Sequence, residues 1–591
     1  MYTRLISAVP PKSLFEIGLN SNLMRYRHRN RIRHGTAGRA CAAIVALLVL
    51  AVSFVSLQAK GAAQRAPASG STVNVLTYHN GTARWGANGN ETVLTPSNVN
   101  YNTFGNLWTF STDGTVDAQP LYVSSLNMGV LGTHNVLFVA TENDTLYAID
   151  ANSAAILWQK SLLLSGETAS DNRGCNQITP VMGITSTPVI ELQNSGTGGL
   201  IFAVAMSKDS SGNYHQRLHS IGISAGVEQA GSPIDIQGTY PSTGPQSSGG
   251  VVTFSPGSYK ARPALLLVNQ TVYVEFSGNC DTPPYSGWIF AYNTSPLSQA
   301  AVLNVSPNGN DGAFWGSGGG PAADANGSIY LMVGNGTFDA TLSGTGFPSK
   351  GDYGNSFLRL AWSSGVLHVA DYFASFNAGD GATDERVELG SSSPLLLPPM
   401  MNSSGQTLDL AIGAGKLGTI FLVNTANMGK YNATASNTNV YQQVVGALGP
   451  GGDGNDALGA VRTPPVYYNN MVYFAANLDP IEGFSFHNAL MSSLPVTSSG
   501  QIFNYPGAAL SVSSDGTTNG ILWAAAPGTP TTGGGLTAYQ TGNLGKQLYN
   551  SNTAPNARDQ FTYTKFAPPT VANGMVYVAT TTGVVAFGLL P

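Results

Sequence analysis

Charge is scarce in this chain: Asp, Glu, Lys and Arg together make up 10% of its 591 residues, against about 25% in ordinary soluble domains. That excludes a coiled coil, a charged helical bundle and a basic nucleic-acid binder. Cysteine is nearly absent, with three in all. None lies in a CxxC pair or a Cys/His cluster, which excludes a structural zinc site. The eight histidines are scattered, and neither HExxH nor GxSxG occurs, so hydrolase and kinase chemistry receive no support. What is abundant is glycine, 71 residues, in a chain that is 42% hydrophobic. A chain this apolar packs rather than staying disordered. Turn-rich and poor in charge, it reads as an all-β protein working outside the cytoplasm.

The few charges are unevenly placed. Residues 1–59 hold eight of the 26 basic residues and one acid, Glu16, leaving 18 basic and 30 acidic residues in 60–591. A body that acidic repels phosphate backbones, so nucleic acid is not an expected partner. After the Arg25–Arg39 cluster, Ala40–Ala59 reads ACAAIVALLVLAVSFVSLQA without a charge. A basic flank before an apolar run is the pattern of an export signal, and twenty residues also suffice for an uncleaved membrane anchor. The expected organisation is a basic pre-region at 1–39 with no sign of a fold, the apolar segment at 40–59, a linker at 60–70 and one domain over 71–591. Export leaves Cys175 and Cys280, which in an oxidising compartment are expected to form a disulfide.

Three segments superimpose without gaps: Pro321-AADANGSIYLMVGNG, Pro464-PVYYNNMVYFAAN and Pro568-PTVANGMVYVATT. Each carries Asn five residues after the first proline (Asn326, Asn469, Asn573) and Tyr nine residues after it (Tyr330, Tyr473, Tyr577). This reads as one β-hairpin. Proline opens a strand where its N–H is dispensable, Asn supplies the turn, and an apolar-Tyr-apolar run forms the next strand. Looser copies start at Pro120, Pro188, Pro263, Pro394 and Gly507, the last without the proline. Each hairpin is followed by a third strand, such as Thr145-LYAID, and by a fourth. Four short strands repeated along the chain predict a β-propeller: eight blades from eight starts, with seven the alternative. Strand-like residues at Val73–Tyr78 and Asn106–Phe110 precede the first repeat, and they are expected to complete the last blade and close the ring.

The order of Trp85-GANGNETVLTPSNVN, Gly105-NLWTFSTDG, Gln119-PLYV and Val136-LFVATENDTLYAIDANSAAILW resembles the start of the pyrroloquinoline-quinone (PQQ) dehydrogenases, and the PQQ-like-repeat propellers of exported bacterial proteins more widely. The resemblance continues through Asp324-ANGSIYLMVGNGTFD and Gly413-AGKLGTIFLVN. It implies that Trp158 packs between blades. It further implies that Asn335, in Val333-Gly-Asn335, would bind a catalytic calcium, and that Lys416, in Ala414-Gly-Lys416-Leu-Gly418, would contact the quinone. Asp384 or Glu388, both ahead of Pro394-LLL, would be the catalytic carboxylate. The family's calcium-binding Glu aligns near Ser207–Ser211, where Asp209 is the nearest acid. Its indole floor aligns near Gly320, so the stacking surface is expected to be missing, with Trp315 close but off register. Its adjacent-cysteine lid is absent. A lost aromatic face of roughly 150–250 Å² removes several kcal/mol of ring burial at about 25 cal/mol per Å².

Each of these residues also has an ordinary structural explanation. Asn335 sits in a Gly-Asn-Gly turn that favours Asn without any ligand. Lys416 would serve as an edge-strand charge, and Asp384, Glu385 and Glu388 as a solvated loop. Asp453 and Asp456 lie in a glycine-rich loop whose spacing fits no EF-hand. His219, just after a strand start, is expected to be packed or hydrogen-bonded rather than catalytic. The reading that follows is an exported propeller acting as a non-catalytic binding or scaffold module, without an assured cofactor and with an unidentified protein or small molecule as its partner. The alternative is a PQQ- and calcium-dependent oxidoreductase acting on alcohols or sugars.

Overall fold

In the computed structural model, the structure describes residues 73–193, 198–378, 388–434, 436–452, 454–528 and 534–591. The expected pre-region, the apolar segment 40–59, Asp384, Glu385 and Asp453 lie outside the described residues. The described chain is an all-β propeller. Its sheets of four or more strands open at Leu121, Val189, Leu266, Ala322, Leu395, Val466, Ala509 and Thr570, each within a few residues of one repeat start. The first sheet shows the plan: Leu121–Asn127, Thr133–Ala140, Thr145–Asp150 and Ile156–Ser161 pair antiparallel in chain order.

Turn chemistry creates the hairpins. Asn469 and Asn470 both have positive φ (47° and 62°), as do Asn573 and Gly574 (51° and 81°), the geometry of a two-residue turn that matches strand twist. The repeated tyrosines lie on the next strand and face the neighbouring sheet. Tyr330 packs with Leu396, Ala411 and Phe421 of the following sheet, and Tyr577 of the last sheet packs among residues of the first. Trp158 acts in the same way: its Nε1 donates to the Ile223 carbonyl (2.9 Å), and its ring covers Gly226, where a Cβ would come within 2.8 Å of the indole.

The ring is closed by the chain's early residues. Phe104–Ser111 pairs antiparallel with Gly583–Leu589 and is the outer strand of the last sheet. Val73–Tyr78 does not join that sheet. Instead, residues 75–91 form a belt against the innermost strands. Val75 exchanges backbone hydrogen bonds with Tyr122, and the carbonyls of Leu76, Thr82, Ala83, Trp85 and Gly86 accept from the N–H groups of Ile190, Ala323, Leu396, Tyr467 and Val512. Side chains of the belt complete the circuit. Arg84 donates to the carbonyls of Leu265 (3.1 Å) and Pro321 (2.8 Å), and Asn88 donates to that of Val571 (3.0 Å). The innermost strand of a blade is an edge with unpaired backbone groups; this one segment reaches the inner edge of each sheet.

Arg84 is fully buried and also donates to Thr77 Oγ1 (2.8 Å) and the Tyr78 carbonyl (2.9 Å). Arg84→Ala would strand four buried acceptors, so we expect a loss of about 3 kcal/mol or more in unfolding free energy. Urea titration checks this, and an unchanged midpoint would show that the belt is dispensable.

Candidate functional site

The residues immediately before the innermost strands converge on the ring axis. Arg262 precedes Pro263, Arg462 lies two before Pro464, and Phe566 two before Pro568. Together with Lys260, Trp315, Glu388, Lys416, Tyr505 and Lys565 they line a cavity of about 470 Å³. Arg262 and the belt-bound Leu265 are three residues apart, about 10 Å of extended chain, so the belt underlies this axial pocket.

Of the 18 basic residues in 60–591, Lys260, Arg262, Lys416, Arg462 and Lys565 line this one pocket. The acids among its lining are Asp281 and Glu388. Lys416 pairs with Glu388, Nζ to Oε2 at 2.5 Å. The AGKLG turn packs tightly on the Glu388 backbone, because a Cβ at Gly415 would meet the Glu388 carbonyl at 2.4 Å. Three aromatic faces each carry a cation: Lys260 lies 4.8 Å from the Trp315 ring, Arg262 5.0 Å from Phe566 and Arg462 5.3 Å from Tyr505. Phe566 has φ +76°, a conformation uncommon for a bulky residue, and one that accompanies its placement on the pocket wall.

Cations outnumber carboxylates among the described lining residues. Arg262 is buried, and its Nη1 and Nη2 have no hydrogen-bond acceptor among the described residues. Burial, reinforced by the charges of Arg262 and Lys565, lowers the Lys260 pKa to about 7. Burial and then Arg262 lower that of Lys565 as well. Packing cations this closely is unfavourable until an anion joins them.

The expected site residues fall into separate places. Lys416 and Glu388 meet in the pocket. Asn335 is buried with Oδ1 lacking a donor, but it is not among the lining residues. Asp209 belongs to a hairpin turn, where its carboxylate accepts from the N–H groups of Ser211 and Asn213, from Asn213 Nδ2 and from His215. These bonds lower its pKa to about 2. Among the described residues no group of three or more His, Cys, Asp or Glu is arranged to hold a metal ion. Among the described residues the pocket therefore offers cations and aromatic rings but no calcium donor set. Trp315, Phe566 and Tyr505 line the pocket from positions other than the one where the family's indole aligns. At Gly320 itself an added Cβ would meet the Ala264 carbonyl at 2.2 Å, so close backbone packing excludes a side chain there. His219 is buried, with Nδ1 3.1 Å from Glu228 Oε1.

Cys175 and Cys280 are disulfide-bonded across 105 residues, joining the loops that carry Gln177, Ile178 and Asp281 into the pocket. Denatured, unreduced protein is expected to show no reactive thiol at these positions. Cys280→Ser should lower the unfolding free energy by about 2–5 kcal/mol, read by denaturant titration; an unchanged stability would contradict a clamping role.

Residues 69–182 match the family model described as outer membrane protein assembly factor BamB. No curated protein sequence matches the chain. Among solved structures it is similar to the quinohemoprotein alcohol dehydrogenase of Comamonas testosteroni, at 13% identity over 88% of this chain and 80% of that one, with a TM-score of 0.55. The quinohemoprotein alcohol dehydrogenase ADHIIG of Pseudomonas putida HK5 gives 12% over the same shares, with 0.56. BamB of Moraxella catarrhalis gives 11% over 82% of this chain and 100% of that one, with 0.46. What the chain shares with the two dehydrogenases is the fold: it is a PQQ-like β-propeller.

Proposed function

We propose that this protein is a non-catalytic binding propeller, working outside the cytoplasm, whose axial pocket receives a small organic anion. One observation carries the reading: five cations gather in a single pocket of an otherwise acidic, charge-poor chain, and the buried Arg262 among them has no acceptor for its Nη atoms among the described residues. The unscreened interior makes such a cluster costly when empty and strongly attractive to an anion. The aromatic faces favour a flat ligand. The binding reading is favoured over catalysis because Glu388 is engaged by Lys416 and neither Asn335 nor Asp209 is among the described residues lining the pocket. Location outside the cytoplasm is supported by the apolar segment at 40–59 and by the disulfide. We read the ring as seven blades rather than the eight expected from the repeat starts, with the sheet opened at Ala509, whose start lacks the shared proline, grouped with a neighbour.

The test is calorimetric titration with benzene-1,3,5-tricarboxylate and with PQQ, each with and without calcium, followed by a dye-linked alcohol and sugar assay. Micromolar binding that is indifferent to calcium and gives no dye reduction is expected, with Arg262→Ala weakening it at least tenfold. The Lys260 ammonium, titrating near pH 7, is charged below that value and neutral above it. An anion holds the proton on, so affinity should fall as pH rises from 6 to 9. Absence of binding at tens of micromolar, or calcium-dependent dye reduction, would overturn the reading.

A further inference from the structure

The axial pocket does not end at its cationic walls. Gln177, Ile178, Tyr505 and Lys565 also line a second cavity of about 330 Å³, so the two are adjoining lobes of one cleft. Each falls within the size of an ordinary ligand site. Their chemistry changes across the shared wall. Beyond Lys565 the second lobe adds no cation; it is lined by the hydroxyls of Thr115, Thr179, Thr564 and Thr581, the Asn176 amide and the Asp117 carboxylate. Tyr505 and Pro506 supply apolar faces. Asp117 accepts from Thr564 Oγ1 and lies beside the buried Glu142, whose Oε2 takes the Gly183 N–H (2.7 Å) and Thr185 Oγ1 (3.0 Å). Glu142 is pushed well above the usual carboxylate range, first by burial and then by Asp117. A second anionic group would meet this acidic wall, and a hydrocarbon tail would strand its hydroxyls and amide. A polyhydroxylated, uncharged tail satisfies them.

Resting on the binding function proposed above, we propose that the ligand is an acidic oligosaccharide. Its uronate carboxylate lies against Arg262 and Lys260, and the neutral sugar joined to it occupies the lobe of Asn176, Thr564 and Thr581. The carboxylate supplies an acceptor for the Arg262 Nη atoms, which have none among the described residues, and sugar hydroxyls both donate to Asp117 and accept from the threonines and the amide. The flat faces of Tyr505 and Pro506 suit the apolar side of a pyranose ring.

Calorimetry with three probes tests this: glucuronate, a disaccharide of glucuronate linked to a neutral hexose, and maltose. The disaccharide should bind at least tenfold more tightly than glucuronate, and maltose should not bind measurably. Asn176 and Thr581 are exposed and Asn176 has φ +55°, a conformation glycine accepts, so Asn176→Gly and Thr581→Ala should fold normally. They should weaken the disaccharide several-fold while leaving glucuronate and benzene-1,3,5-tricarboxylate unchanged. Equal affinity for glucuronate and the disaccharide, or disaccharide binding unmoved by both variants, would overturn the extended ligand while the anion pocket stands. Failure of the tricarboxylate to bind would remove the pocket's function itself.

Discussion

Every blade of a propeller presents an unpaired strand edge to the axis, and in this protein one short run of backbone meets those edges. Hydrogen bonds from residues 75–91 reach the innermost strand region of each sheet, within a few residues of the repeat's opening position. Much of the binding is by carbonyl oxygens, so it depends on where the chain runs more than on which side chains it carries. Arg84, Trp85 and Asn88 add side-chain donors, and the buried Arg84 guanidinium spans two blades. The pocket above inherits its shape from this arrangement. Once the inner strands are held at a common height, the residues preceding them form a ring of side chains around one space.

The chemistry of that space follows from how few charges the chain has elsewhere. In a heavily charged protein, five cations near an axis would find carboxylates within reach. Here Glu388 takes Lys416, while Lys260 and Arg262 rest on aromatic rings. A cation over a ring is stabilised modestly and remains available to a stronger partner, as a cation locked in an ion pair does not. Lys260 shows the strain of this arrangement most directly, since burial brings its proton affinity down to the neutral range.

Much of the fold was legible because it is written in local terms. Asn-Asn and Asn-Gly turns, prolines at strand starts and tyrosines nine residues on are short-range signals, and the hairpins stand where those signals lie. The closing strand at Phe104–Ser111 was visible as an apolar run with no partner of its own. The belt was not, because backbone carbonyls carry no signature in sequence; its only cue, strand-like Val73–Tyr78, suggested an outer strand instead. The pocket was legible in part. Lys416 and Glu388 came from resemblance to the PQQ dehydrogenases, whereas Lys260, Arg262, Arg462, Lys565 and Phe566 were passed over. A signal for them existed: Arg262, Arg462 and Phe566 stand one or two residues before a repeat's opening proline, a position that faces the axis in a closed ring. Trp315, close to the family's indole position but off its register, lines the pocket, whereas Gly320, where that indole aligns, has no room for a side chain.

The belt has a further consequence for how the molecule comes into being. Residues 75–91 are made well before their partners, which extend to the strand Thr570–Ala572. Phe104–Ser111 likewise waits for Gly583–Leu589. Residues 75–91 are therefore born without their binding site and must stay uncommitted until the wheel they bind has been translated. A product lacking residues 570–589 loses its final wedge and, with it, the Val571 anchor of Asn88 and the partner of Phe104–Ser111.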